Sequence, residues 1–410
     1  MDPTFARFLS PWIWTLTVLA AVVVAFDVVV DPYRIFGAPL IKGFNAHKNA
    51  ALNQTWGYKV YEVQRLAPTT VLLGSSRVLA GLNAHSSVWP ADYSPVYNLG
   101  LGGGTPYAWF RYLQHVMATH VPRTVIVGVD FEYFLDSLES QHSAVQGFEA
   151  RLAVSADGTP NPRAQRQHLL DLVQFSLSYD SLYDSMVTVV GNLYADPSDM
   201  VLGNGTDDRQ IEALRKTGTF PWMALLDIIN VRRFTSGPNH YAMTDLRGLL
   251  ELCRTHGTGV ILYIHPMPAD TLEMMDQLAY WGMFEDWKRE LMRAVSDNRN
   301  AGGQVILWDF SDYDIYSTEP LRQDGRVLRW FLESAHYTQA LGDLVARRIL
   351  GRSAVQFGTI LTPEGLEAHL TEIRKRQREY RATHQDDVAR VHAIHDAATR
   401  MLKLRVTAAP

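Results

Sequence analysis

At 410 residues, with 47% hydrophobic and 20% charged side chains, the chain has material for one large or two smaller domains and is excluded from the disordered class. Its net charge of −5, with no basic stripe interleaved with aromatics, excludes a dedicated nucleic-acid binder. The single cysteine, Cys253, excludes an internal disulfide, and its apolar neighbours in a helix predicted over 245–255 argue against a reactive thiol.

The first predicted element is an apolar stretch from Pro11 to Val30, in which Asp27 is the only charge. Its length suits a bilayer span of about 20 residues, with Trp12 and Trp14 at an interface. No small-x-small cleavage site follows, so residues 1–35 read as a retained membrane anchor. A cleaved signal peptide or a core helix is the alternative. Arg7 alone precedes the span, whereas Arg34, Lys42 and Lys48 follow it, so the charge count by itself does not favour export of what comes next.

Residues 36–355 read as an α/β domain. Trp56–Leu66 is a predicted helix and Thr69–Leu73 a strand that runs into Gly74-Ser75-Ser76-Arg77. A second strand, Pro95–Tyr97, leads into Asn98-Leu99-Gly100 and a glycine run. Thr105 then caps a helix with Pro106 at its first position, extending to about His120. Thr124–Val129, Gly259–Ile264 and Gln304–Trp308 complete a set of continuously apolar strands, the pattern of a parallel sheet of about five strands covered by helices on both faces. Between them, about 132–240, aromatic and aliphatic residues recur in Phe175–Leu193 and Ile211–Val231, suggesting a helical insertion over the sheet. Residues 356–410 form a C-terminal extension that reads as one long amphipathic helix. His392 and His395 lie one turn apart in it without a third ligand, so no metal site and no cofactor are expected.

Two short motifs carry chemistry. A serine at a strand end becomes nucleophilic only when an imidazole removes its proton and a carboxylate orients that imidazole. Glu333-Ser334-Ala335-His336 supplies both groups, one helical turn apart, for Ser76. The structural alternative makes Ser76 a helix N-cap and Glu333 and His336 an exposed helical pair. Asp309, after the fifth strand, is a reserve acid. Arg77 would clamp an anionic substrate or form a structural ion pair, and His265 would line the site rim or simply lie in a surface loop. Trp330 and Tyr337 would stack on sugars or pack in the core.

In order along the chain, Gly74-Ser75-Ser76-Arg77, Asn98-Leu99-Gly100, Gly128-Val129-Asp130 and Glu333-Ser334-Ala335-His336 resemble the blocks of the SGNH (GDSL-like) hydrolase superfamily. That resemblance implies a flavodoxin-like sheet, Ser76 as nucleophile, His336 as base, Glu333 as orienting acid, and an oxyanion hole from the backbone of Ser76 and Gly100. Asp130 stands where those hydrolases use asparagine; an ionised aspartate cannot donate, and losing such a donor costs about 2.7–4 kcal/mol of transition-state stabilisation. With the N-terminal span, the chain looks most like the membrane-anchored acyl-transfer branch, which includes the D-alanine-transfer protein of teichoic acids and alginate O-acetylation proteins. The resemblance then implies a single-pass inner-membrane protein with its domain in the periplasm or outside the cell. It further implies a polysaccharide acceptor and a membrane-bound O-acyltransferase as partner. A carbohydrate esterase with the same triad, or a non-catalytic scaffold binding glycan or a membrane partner, remain as the other classes.

Overall fold

The computed structural model describes residues 3–135, 142, 145–194, 240–319 and 328–407. In chain order the helices and strands are α1 Pro3–Val30, α2 Thr55–Leu66, β1 Thr70–Leu73, α3 Ser76–Gly81, β2 Val96–Asn98, α4 Pro106–Met117 and β3 Thr124–Val129. They continue with α5 Ala164–Ser176, α6 Tyr179–Leu193, α7 His240–Thr255, β4 Gly259–Ile264, α8 Ala269–Gln277 and α9 Trp281–Asn300. β5 Val305–Asp309, α10 Gln339–Ile349, β6 Thr359–Leu361, α11 Leu366–Thr383 and α12 Gln385–Thr407 complete the series. The chain divides into two compact units, one of Met1–Leu66 with Phe148–Gly203 and one of Ala67–Gly147 with Asn204–Pro410. This division follows spatial packing and differs from the boundaries at 35 and 355 expected from sequence. The expected apolar stretch 211–231 lies outside the described residues.

The second unit holds a six-stranded sheet of order β2-β1-β3-β4-β5-β6, parallel throughout except for β6, which runs antiparallel to β5. The parallel part therefore has the order 2-1-3-4-5, with a switch between β1 and β3 where neighbouring strands connect in opposite directions. Its strands are buried almost throughout, which is why they read as continuous apolar runs. On one face, Leu72, Ile126 and Ile261 meet Leu341, Val345 and Ile349, which recur every four residues along α10. Each such side chain contributes about 1.5–3 kcal/mol by leaving water. Thr105 caps α4 by accepting from the Ala108 N–H, with Pro106 at the first helical position as expected.

The C-terminal extension is the short edge strand β6 followed by two helices. α11 ends at Thr383, His384 leaves helical geometry, and α12 begins anew. Both pack on the domain through α8: Arg381 pairs with Glu273 at 2.7 Å and Arg390 with Asp270 at 3.0 Å. His392 Nε2 lies 2.8 Å from Gln277 Nε2, and no cluster of three metal-ligating side chains occurs among the described residues. Cys253 is buried, and burial pushes its thiol up to about 12.

In the first unit, α1 contains Phe8–Val30, a 23-residue segment long and apolar enough to cross a membrane. α5 and α6 pack against α1. The unit is laced by buried ionic contacts: Arg34 with Glu62 at 2.5 Å, Lys48 with Asp31 at 3.5 Å, and Arg151 with Asp171 at 2.6 Å.

Candidate active site

The site is built at the carboxyl ends of β1, β2 and β3, where parallel α/β sheets place ligands. β1 leaves the sheet at Gly74, where φ is +150°. A Cβ there would lie 2.4 Å from Val78 Cγ2 and 2.9 Å from the Gly128 carbonyl, so only glycine lets the chain turn this close to β3. Ser75, not Ser76, is the N-cap of α3: its hydroxyl accepts from the Arg77 N–H at 3.1 Å. That leaves Ser76 at the first helical position, with its side chain half-buried and its own N–H among those a helix cannot pair internally.

Ser76, His336 and Glu333 come together. His336 Nε2 lies 2.7 Å from Ser76 Oγ, and His336 Nδ1 makes a short hydrogen bond to Glu333 Oε1. Glu333 is buried and also accepts from the N–H groups of Ala335 and His336, each at 2.7 Å. Burial pushes its carboxyl up, but the contacts from His336 and these backbone amides outweigh it, so the acid lies below its ordinary value and stays ionised. An ionised carboxylate on the Nδ1 side places the ring proton there and leaves the Nε2 lone pair for the serine hydroxyl.

The expected helical turn is absent around this pair. Glu333–His336 lies in a loop closed by a bridge between Phe331 and Tyr337 and by the Leu332 N–H donating to the His336 carbonyl at 2.8 Å; the next helix begins only at Gln339, capped by Thr338. The carboxylate reaches the imidazole by folding back over its own loop, not by sharing a helix face. Two outside donors fix that loop: Arg77 Nε to the Ala335 carbonyl at 2.8 Å, and the Thr271 hydroxyl to the Ser334 carbonyl at 2.7 Å.

The remaining sequence candidates take other roles. Arg77 is buried and held by Asp130 at 2.6 Å and Glu132 at 2.8 Å, so it is an internal brace and not an exposed clamp. Burial would raise the Asp130 carboxyl, but the His265 ring and the Arg77 guanidinium hold it at about 2; it is an acceptor and cannot donate to an oxyanion. His265, expected on the rim, is buried instead. Its Nδ1 lies 3.2 Å from the Tyr337 hydroxyl and its Nε2 3.6 Å from Asp130, and Gly128 provides the room, since a Cβ there would lie 2.4 Å from the ring. Tyr337 is a core residue whose hydroxyl also meets that of Tyr263 at 3.1 Å, and Trp330 packs edge-on against Tyr316. The Gly100 N–H donates to Asn98 Oδ1 at 2.9 Å, an acceptor it would have to leave or share in order to serve an oxyanion hole. Asp309 is bound by Lys288 at 2.7 Å and His369 at 3.0 Å and has no contact with the imidazole.

Sequence reasoning missed the part played by Asn98. Its amide donates to the carbonyls of Val78 at 3.0 Å and Leu82 at 2.7 Å, so it ties the serine-bearing helix to the end of β2. The signal was its position one residue beyond the predicted strand and two before Gly100. The arrangement as a whole is an activated hydroxyl beside a helix-start amide, which equips it for nucleophilic attack on an acyl carbonyl. Comparison with protein-family models finds no match, and comparison with curated proteins finds no significant relative.

Proposed function

We propose that this chain is a serine-dependent O-acyltransferase of SGNH type, anchored in the cytoplasmic membrane by Phe8–Val30, with its α/β domain in the periplasm or outside the cell. The observation that carries the reading is the unbroken relay from Glu333 through His336 to Ser76 at the end of β1. The 2-1-3-4-5 strand order and the placement of the first three motif blocks at strand ends, with the last against Ser76, support the fold assignment.

In the first half-reaction His336 Nε2 takes the Ser76 proton and Ser76 Oγ attacks the acyl carbonyl. The Ser76 N–H stabilises the oxyanion, and the donor's leaving group departs with the proton from His336. In the second half-reaction a sugar hydroxyl gives its proton to His336 and attacks the acyl-serine, which regenerates Ser76. Glu333 balances the imidazolium in both. The acceptor is a cell-surface or extracellular polysaccharide, and a membrane-bound O-acyltransferase supplies the acyl group. Replacing Ser76 with alanine should abolish polysaccharide acylation at unchanged protein level; retained acylation contradicts the proposal. Equally fast turnover of a simple acetyl ester with and without sugar would move the assignment to an esterase.

A further inference from the structure

The two helices α5 and α6 are built inside out. Along α6 the buried positions are Ser181, Ser185, Thr188 and Asn192, spaced by four, three and four residues on one face. The exposed positions on the other side are Tyr183, Met186, Val187, Val190 and Leu193, the last two 54% and 65% exposed. α5 repeats the pattern in part, burying Asp171 and Ser176 together with Phe175 while exposing Leu169, Leu170 and Val173. A helix beside water turns its apolar stripe inward. A helix in lipid does the reverse, packing small and polar residues against other helices and turning apolar ones outward.

Of the buried polar groups on this face, Asn192 is fully engaged by the protein. Asn192 donates to the carbonyls of His47 at 2.8 Å and Thr188 at 2.7 Å and accepts from the His47 N–H at 2.8 Å. Asp27, the one charged residue of Phe8–Val30, is fully buried, and neither its carboxylate oxygens nor the Ser185 hydroxyl has a hydrogen-bond partner among the described residues. A carboxyl near the end of a span is thereby enclosed by protein and kept from hydrocarbon.

α1 shows where these helices stop covering it. Residues Pro11 to Leu19 are exposed throughout, whereas from Ala20 to Val30 one side turns inward. The covered portion rises about 16 Å, roughly half of a hydrocarbon core of about 30 Å. Polar and aromatic groups mark the margins: Arg163 and Arg166 are exposed at the start of α5, and Tyr179 and Tyr194 are exposed at the two ends of α6.

From this continuity with the span we infer that the outer faces of α5 and α6 are immersed in the acyl chains of one leaflet beside α1, so that the first unit is seated in the bilayer by three helices. The inference rests on the reading of Phe8–Val30 as a retained span and goes beyond it by naming lipid as the occupant of the α5–α6 face.

The test uses the full-length protein with single cysteines placed by Val187→Cys, Val190→Cys, Leu16→Cys and Lys375→Cys, each carrying an environment-sensitive fluorophore, in vesicles with bromine on mid-chain carbons; buried Cys253 gives little background. Quenching at positions 187 and 190 should match that at 16 and exceed that at 375 by about fivefold. Quenching at 16 alone, with iodide in the buffer reaching 187 and 190, overturns the inference and leaves the anchor standing. Absence of quenching at all four overturns both readings. Unsubstituted protein in native membrane vesicles, treated with a lipid carrying an acyl-chain diazirine, should gain adducts between 183 and 193. Adducts there in purified vesicles but not in native ones would mean that a protein partner covers this face, which also overturns it.

Discussion

Replacing Arg77 with methionine tests how the site is held. The guanidinium sits 2.6 Å from Asp130, and both side chains are buried. At an effective dielectric of about 20 their attraction is about 6 kcal/mol, offset in large part by the cost of removing both from water. Removing the cation alone forfeits the attraction but leaves the Asp130 desolvation in place, so Arg77→Met should lower unfolding free energy by about 3–5 kcal/mol. It also removes the Nε bond to the Ala335 carbonyl, one of two outside fastenings of the His336 loop. The double variant Arg77→Met/Asp130→Leu removes the orphaned charge, and most of the stability should return, since apolar replacement of a buried pair is often nearly neutral. The fastening to Ala335 does not return with it. Urea unfolding of the full chain in detergent micelles, run beside the rate of labelling by an active-site serine probe, separates the two effects. Stability should recover in the double variant while labelling stays at least about tenfold below wild type, the consequence of a mispositioned base. A single variant that loses less than about 1 kcal/mol, or a double variant that regains both properties, would refute this account of Arg77.

Three further outcomes follow from the same geometry. Glu333→Gln keeps the shape of the acid but can no longer hold the imidazole in the required tautomer, so serine labelling and ester turnover should fall by about 10³–10⁴-fold; its NH2 would also face one of the backbone N–H groups the carboxylate accepts from, which should lower unfolding free energy by about 1–3 kcal/mol; a loss of activity under tenfold would contradict the relay. Asp130 is held at about 2, so its contribution to stability is present above its unfolded value near 3.8 and is lost as pH falls through 2. The stability difference between wild type and Asp130→Asn, followed by urea melts, should be constant above pH 5 and shrink by about 2 kcal/mol between pH 4 and 2. Asp245 on α7 has the opposite sign: burial raises its carboxyl to about 7, and its Oδ2 has no hydrogen-bond partner among the described residues. It therefore costs stability as pH rises from 4 through 7, and Asp245→Asn should add about 1–2 kcal/mol at pH 8, after allowance for its partial exposure, and nothing at pH 4. A variant no more stable than wild type at pH 8 would contradict this.

The five parallel strands were legible because a strand covered on both faces is apolar at every position, and that pattern leaves little room for another reading. β6 was not, since it is three residues long at the sheet edge with Thr359 and Ile360 exposed. The strand-end position of Ser76 could be read from Gly74 and the apolar run before it. The Glu333–His336 loop could not, because a three-residue spacing serves a helix turn and a carboxylate folded back on its own amides equally well. His265 reads as a rim or surface residue because an imidazole in a loop is usually solvated, and Arg77 reads equally as an anion clamp or as one half of an ion pair. Only the fold brings Asp130 from β3's end, Tyr337 from beyond the loop and Ala335 within their reach. The same limit applies to α6: its alternation of small polar and apolar residues has one period whichever face turns inward, and sequence alone does not say which. The break between α11 and α12 carries neither glycine nor proline, so the periodicity ran through it.

The most direct measurement is the mass of the chain after brief exposure to an activated acyl ester, with the modified residue located by peptide sequencing. The account predicts a single acyl group on Ser76 that is lost faster when a sugar acceptor is added, and no adduct in Ser76→Ala or His336→Ala. Acylation elsewhere with Ser76 unmodified, or acylation of Ser76 at the same rate without His336, would contradict it.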